Sequence, residues 1–302
     1  MRNPFERILE ERGSVVLDGG LATELERRGA DLRDPLWSAR VLVEDPERIR
    51  EVHAAYFEAG ADVAISSSYQ ATFEGLARRG LGTAEAAALM RRSVEIARDS
   101  ATNGRVVAAS IGPYGAMLGN GAEYTGDYDR GEDELVAFHV PRMEALVEAQ
   151  PDLFAIETIP SIVEARAIVR ALERVPDVPA WVSFSCRDGG HICDGTPFEE
   201  AVAVATGSPN VVAVGINCTP PLHASALVEI AAAGTDLPVV CYPNRGSFWD
   251  PMRKSWIDPP RQDARSPLRP GAWRQAGARL IGGCCGTTPE DIEAVAWALG
   301  RA

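Results

Sequence analysis

Eight times along this 302-residue chain, a short β-rich apolar run ends in small or polar residues and gives way to a helical pattern. The runs are "SVVLDGG" (14–20), "DVAISSSY" (62–69), "RVVAASIGP" (105–113), "DLFAIETIPS" (152–161), "AWVSFSCR" (180–187), "NVVAVGINC" (210–218), "LPVVCYPNR" (237–245) and "ARLIGGCCG" (278–286). Nearly continuous apolar character fits strands covered on both faces, as in a parallel sheet flanked by helices. Between them, "PERIREVHAAYFEAG" sets Ile49, Val52, Tyr56 and Phe57 at helical spacing and stops at Gly60. Four later intervals behave alike. The last helix has Thr288 as N-cap, Pro289 at its first position, and Glu290 and Asp291 in its first turn. Eight such units in this length predict an α/β fold, a single (β/α)8 TIM barrel spanning 1–302 as one domain. No linker or low-complexity stretch interrupts the alternation.

A barrel of this kind places its chemistry at the C-terminal ends of the strands. Those ends are chemically loaded here, with Asp18, Ser66 to Ser68, Glu157, Cys186, Asn217 with Cys218, Asn244, and the adjacent pair Cys284–Cys285. Ordinary turn chemistry accounts for the serines and Asn244. It accounts poorly for Glu157, and worse for the cysteines.

Composition contributes two exclusions. A formal charge of -13, from 43 acids against 30 bases, argues against a nucleic-acid or anionic-membrane partner. The N-terminus lacks the apolar run of a signal peptide, and nothing reaches membrane-spanning length, so the cytoplasm is the expected compartment. Six cysteines in such a chain read as reduced thiols.

Cys218 ends the sixth run and Cys284–Cys285 the eighth, so their rims lie close in a barrel. Adjacent residues of a regular strand point to opposite faces. The pair can therefore share one metal only if the chain bends, and Gly282, Gly283 and Gly286 allow that bend. Three convergent thiolates suit Zn2+, and three protein ligands leave a fourth position open for a substrate atom. A thiol is the natural guest, since metal binding delivers it as thiolate. Three alternatives remain: buried inert cysteines, a strained Cys284–Cys285 disulfide, or a phosphate loop in "GGCCGTTPED". Glu290 and Asp291 oppose the last of these. Cys241 reads as core, and Cys186 and Cys193 as fifth-loop residues outside the metal set. The four histidines assemble no catalytic triad, and the chain's one lysine, Lys254, lies in a polar insertion.

The motifs "LDGGLATELERRG" (17–29), "DPLWSARVL" (34–42), "SSYQATFEGLARRGL" (67–81), "IGPYGAML" (111–118), "EYTGDY" (123–128), "ET" (157–158), "DGTPF" (194–198), "GINC" (215–218) and "GARLIGGCCGTTP" (277–289) are similar to those of the homocysteine S-methyltransferases of the S-methylmethionine-using kind, across nearly the whole chain. That resemblance implies a zinc-dependent barrel with Cys218, Cys284 and Cys285 as the ligands. It implies that Asp18 and Glu157 hold the ammonium of L-homocysteine. Backbone N–H groups at Gly19 and Gly20 receive its carboxylate, and Asn217 steadies the Cys218 loop. The residues themselves leave Asp18 open as a strand-end turn and Glu157 as a partner of a rim arginine. The implied reaction moves a methyl group from a sulfonium donor, S-methylmethionine or S-adenosylmethionine, to the homocysteine thiol. No protein general base is expected. Trp37, Tyr69, Tyr114 and Tyr124 are the aromatics placed to lie against the cation.

The alternatives are a betaine- or selenocysteine-using relative, or a non-catalytic zinc- or thiol-binding barrel. The sequence ends at Ala302 just after the last helical pattern, so no cobalamin or folate module is expected, and a monomer is the default. The segment 245–271 reads either as a lid or as a surface excursion.

Overall fold

The computed structural model describes residues 3–30, 38–102, 104–175, 178–246, 248–250, 255–257 and 268–301. Trp37, Lys254 and most of the 245–271 insertion lie outside that set.

Eight parallel strands form the sheet: β1 (Val15–Val16), β2 (Val63–Ile65), β3 (Val106–Ile111), β4 (Leu153–Ile159), β5 (Ala180–Phe184), β6 (Val211–Asn217), β7 (Val239–Tyr242) and, after a short antiparallel hairpin of β8 (Phe248–Asp250) and β9 (Ser255–Ile257), β10 (Ala278–Ile281). β1 pairs with β10, and a bridge from Leu17 to Val63 closes the circle onto β2. The chain therefore folds as the expected (β/α)8 barrel, with the hairpin inserted between its last two strands.

The apolar runs have the physical reason the sequence suggested. Along β4, Leu153 and Ala155 face the barrel interior while Phe154 and Ile156 pack under the surrounding helices. Val106 and Ala108 against Val107 and Ala109 repeat that division on β3. The outer helices contribute the faces read from periodicity. Ile49, Val52, Tyr56 and Phe57 are all buried on the helix Pro46–Glu58. The helix Glu132–Val147 continues through Pro141 without interruption. The helix Pro289–Ala298 starts on a reciprocal Thr288–Asp291 capping box, with Pro289 in its first turn.

The short helix Glu6–Arg12 was not evident from periodicity. It closes the N-terminal end of the barrel: Phe5 is fully buried, with its ring 6.1 Å from that of Trp181. The opposite end stays open, and the loaded strand ends gather there. Among the described residues, no helix is long and apolar enough to cross a membrane.

Candidate metal and substrate site

Two of the strands that build the site break their alternation at its edge. On β4 the inward parity of Leu153 and Ala155 passes to Glu157, and then Thr158 adopts φ +63°. The pairing register shifts between Ile156 and Ile159, and Ile159 packs with the outer layer. This left-handed residue therefore lets Glu157 and Thr158 both line one cavity. β6 uses the same device one residue past its end. Val214 and Ile216 pack outward, which leaves Asn217 facing inward, yet Cys218 at φ +46° also reaches the cavity. Positive φ in a non-glycine residue is strained, roughly 1–3 kcal/mol, and persists only where other contacts enforce it.

Asn217 supplies much of that enforcement. Its Oδ1 accepts the Thr158 N–H at 2.6 Å and the Ser183 hydroxyl at 2.9 Å, and its Nδ2 donates to Thr158 Oγ1 at 2.7 Å. The expectation for Asn217 was support of the Cys218 loop. Its short hydrogen bonds instead run to the neighbouring strands, and its nearest approach to a cysteine sulfur is 3.9 Å, to Cys284.

The Cys284–Cys285 loop leaves strand geometry after Ile281, as a shared metal would require. Cys284 N–H donates to Pro243 O, Gly283 N–H to Asp18 O, and Arg245 N–H to Cys285 O. Only Gly286 of the three glycines has positive φ, +81°. Gly282 and Gly283 are needed for space: a Cβ on Gly283 would sit 2.5 Å from Thr287 Oγ1, and one on Gly282 would sit 2.6 Å from Leu17 Cβ. The Cys218 N–H donates to Tyr242 O, so the end of β7 fixes both cysteine loops.

The three Sγ atoms lie within 4.8 Å of one another, and Cys218 and Cys285 are 3.3 Å apart. Hydrogen bonds from the other two sulfurs pull the Cys285 thiol well below its usual range. The Tyr124 hydroxyl stands 3.3 Å from Cys218 Sγ. A soft divalent ion fits this donor set, with a tetrahedral corner left over. Cys241 is fully buried in the outer core, and Cys186 is buried away from the trio, as expected.

The cavity above the sulfurs encloses about 120 Å3 and contains two carboxylates among its described lining residues but no arginine, lysine or histidine. Glu157 is pushed up to about 7 by burial, partly offset by hydrogen bonds from Ser110 and Tyr242. Those two hydroxyls take the place of a rim arginine. Tyr242 is held in turn by Trp181 Nε1–H at 3.0 Å. Asp18 stands just behind the lining. Its Oδ2 accepts the Ile65 N–H at 2.8 Å, while its Oδ1 is buried without a partner. Burial, and then repulsion from Glu157, push Asp18 well above the carboxylate range. A cation placed between the two would offset both effects.

Gly19 and Gly20 line the same cavity beside Leu21, Ala22 and Thr23 in the first turn of the helix Leu21–Arg27. The Gly20 N–H donates to Thr287 Oγ1 at 3.1 Å. Both glycines are also required by close packing, against Tyr56 and Cys284 O respectively. Tyr69 and Tyr124 face the cavity, whereas Tyr114 packs on Tyr128 and Phe138 outside it. Three contributors carry no role assigned from the sequence: Ser110 and Thr158 on strands, and Glu123, which opens the "EYTGDY" motif in a short 3-10 turn (Ala122–Tyr124).

A family model described as homocysteine S-methyltransferase matches residues 15–299. Homocysteine S-methyltransferase YbgG of Bacillus subtilis (strain 168) is 48% identical over 98% of each chain. Homocysteine S-methyltransferase of Escherichia coli (strain K12) is 47% identical over 97% of each. The crystal structure of the homocysteine methyltransferase MmuM from Escherichia coli in its metallated form superposes with a TM-score of 0.85, at 45% identity, covering 97% of this chain and 99% of that one.

Proposed function

This chain belongs to the homocysteine S-methyltransferase family, and from that membership we propose a zinc enzyme that carries a methyl group from the sulfonium S-methylmethionine to the thiol of L-homocysteine. The observation that carries the reading is the placement of three sulfurs within 4.8 Å at the base of a cavity whose charged groups, among the described lining residues, are acidic. Such a cavity favours a cationic donor and opposes an anionic one.

Cys218, Cys284 and Cys285 would hold the zinc, which when bound supplies a Lewis acid that lets a thiol lose its proton near neutral pH. The chain's own groups then bind and align. Asp18 Oδ1 and the carboxylate of Glu157 hold the acceptor's ammonium, which supplies such a cation. The Gly19 N–H and the open first turn of the helix Leu21–Arg27 receive its carboxylate, while Gly20, whose own N–H is engaged by Thr287, gives room for the approach. Asn217 keeps Glu157 aimed inward through Thr158. Tyr69 and Tyr124 wall the cavity and exclude water from the reacting atoms.

The acceptor sulfur attacks the methyl carbon in line as the donor's S–CH3 bond breaks. The electron pair returns to the donor sulfur, and the acceptor's thiol proton goes to solvent. With S-methylmethionine both products are methionine. The leaving group is a neutral thioether, so no general acid is needed, and alignment supplies most of the acceleration.

The test is methyl transfer from S-methylmethionine to homocysteine before and after chelation, with parallel arms for S-adenosylmethionine, betaine and a selenocysteine acceptor. Turnover that chelation abolishes and zinc restores is expected. Turnover with betaine but with no sulfonium would overturn the donor assignment. Activity indifferent to both chelation and Cys218→Ser would overturn the metal.

A further inference from the structure

Among the described lining residues, Glu123 is the carboxylate to which the proposed reading gives no part in holding the acceptor. It is 7% exposed, lines the cavity, and its Oε2 is buried without a hydrogen-bond partner. Its main chain is held in place: Ser185 Oγ–H donates to Glu123 O at 2.8 Å, and Gly115 packs so closely that a Cβ there would meet Glu123 N at 2.6 Å. Such packing fixes the backbone that presents the carboxylate and leaves one oxygen free to receive something.

The acidic groups divide into two sets. Glu157 is bonded to Ser110 and Tyr242, and Asp18 is bonded to the Ile65 N–H, whereas Glu123 stands on the short turn Ala122–Tyr124 with one oxygen unpartnered. The next residue, Tyr124, reaches Cys218 Sγ at 3.3 Å. The cavity therefore offers a second place for positive charge, beside the tyrosine side of the sulfur trio and distinct from the Asp18–Glu157 pair.

On the proposed reaction the donor brings two cations, a sulfonium and an α-ammonium. The sulfonium loses its charge as the methyl leaves, so a carboxylate against it would hold the ground state more tightly than the transition state and would slow the reaction. The ammonium keeps its charge throughout. A carboxylate against that group contributes equal binding to both states and leaves the chemical barrier alone. We propose that Glu123 receives the α-ammonium of the methyl donor and so selects amino-acid sulfoniums over sulfoniums without an amine.

This assignment rests on the sulfonium-donor reading above, and its test separates the two. Zinc-loaded wild type and Glu123→Gln are assayed with S-methylmethionine and with its deamino analogue, 4-dimethylsulfoniobutanoate. Failure of wild type with both sulfoniums defeats the donor reading itself. If wild type turns over S-methylmethionine, the expected result for Glu123→Gln is a donor KM raised about tenfold to a hundredfold with kcat changed little, the scale of one lost charge-assisted hydrogen bond. The wild-type preference for S-methylmethionine over the analogue should collapse by the same factor. An unchanged donor KM, a fall in kcat at constant KM, equal losses for both donors, or a rise in homocysteine KM instead would each overturn the assignment. Isothermal titration of S-methylmethionine into both zinc-loaded proteins reads the same difference without turnover. An unchanged zinc content and homocysteine KM in the variant show that its fold is intact.

Discussion

Asn217→Ala tests whether one amide side chain holds the bend that aims Glu157. In the native protein Asn217 is fully buried and makes three hydrogen bonds, at 2.6, 2.7 and 2.9 Å. Truncation leaves the Thr158 N–H without its acceptor, a loss of roughly 1–3 kcal/mol. The Ser183 hydroxyl keeps Tyr242 OH at 2.7 Å and loses little. Thr158 Oγ1 borders the cavity and can turn to water. The small void adds about 1 kcal/mol, for a total of about 2–4 kcal/mol. For a chain of 302 residues that corresponds to a Tm lowered by about 3–6 °C. Without the amide, the left-handed strain at Thr158 is no longer opposed, and relaxation toward extended backbone carries Glu157 off its line. The KM for homocysteine should therefore rise about tenfold. Zinc content should persist, because Cys218 is fixed separately by its N–H to Tyr242 O and by Asn244 Nδ2–H to its own carbonyl. Differential scanning calorimetry, zinc analysis and steady-state kinetics measure the three quantities. A variant that melts within 2 °C or so of wild type with an unaltered KM refutes the clamp.

Three other outcomes follow from the same geometry. Cys218→Ser should release zinc to a mild chelator and lower methyl transfer by at least about a hundredfold, measured by metal analysis and product formation. On the proposed role of Glu157 the acceptor ammonium binds its ionised form, and burial raises this carboxyl to about 7, so kcat/KM for homocysteine should fall as pH drops through about 7. The stability consequence has the opposite sense: a raised carboxyl makes the folded state bind more protons, so calorimetry of the substrate-free protein should show this group's contribution declining as pH rises from the ordinary glutamate range toward about 7. Gly215→Ala should fail to give soluble, folded protein, since its Cβ would lie 1.9 Å from Val240 O across β6 and β7.

The barrel was legible because parallel strands buried on both faces leave unbroken apolar runs, and all eight runs contain the strands expected of them. The cysteine trio was legible because thiols at neighbouring strand ends have few other uses. Thr158 was not legible, because a β-branched residue in the left-handed region is imposed by tertiary contacts and leaves no local signal. Nor was Glu123, which lies in a non-periodic turn and becomes distinctive only when its buried, unpartnered oxygen is seen. Gly282 and Gly283 were read as hinges, but Gly282 lets the ends of β1 and β10 touch and Gly283 makes room for Thr287. The N-terminal helix is too short for its pattern to stand out, although Phe5 and Ile8 are both buried beneath the barrel.

That stopper has a kinetic meaning. With Phe5 wedged under Trp181, the vessel is corked at its base, and among the described residues the space above the sulfurs lies at the opposite end. On the proposed reaction with S-methylmethionine, each turnover would leave two copies of one product in that space, so accumulating methionine should compete with both reactants at once.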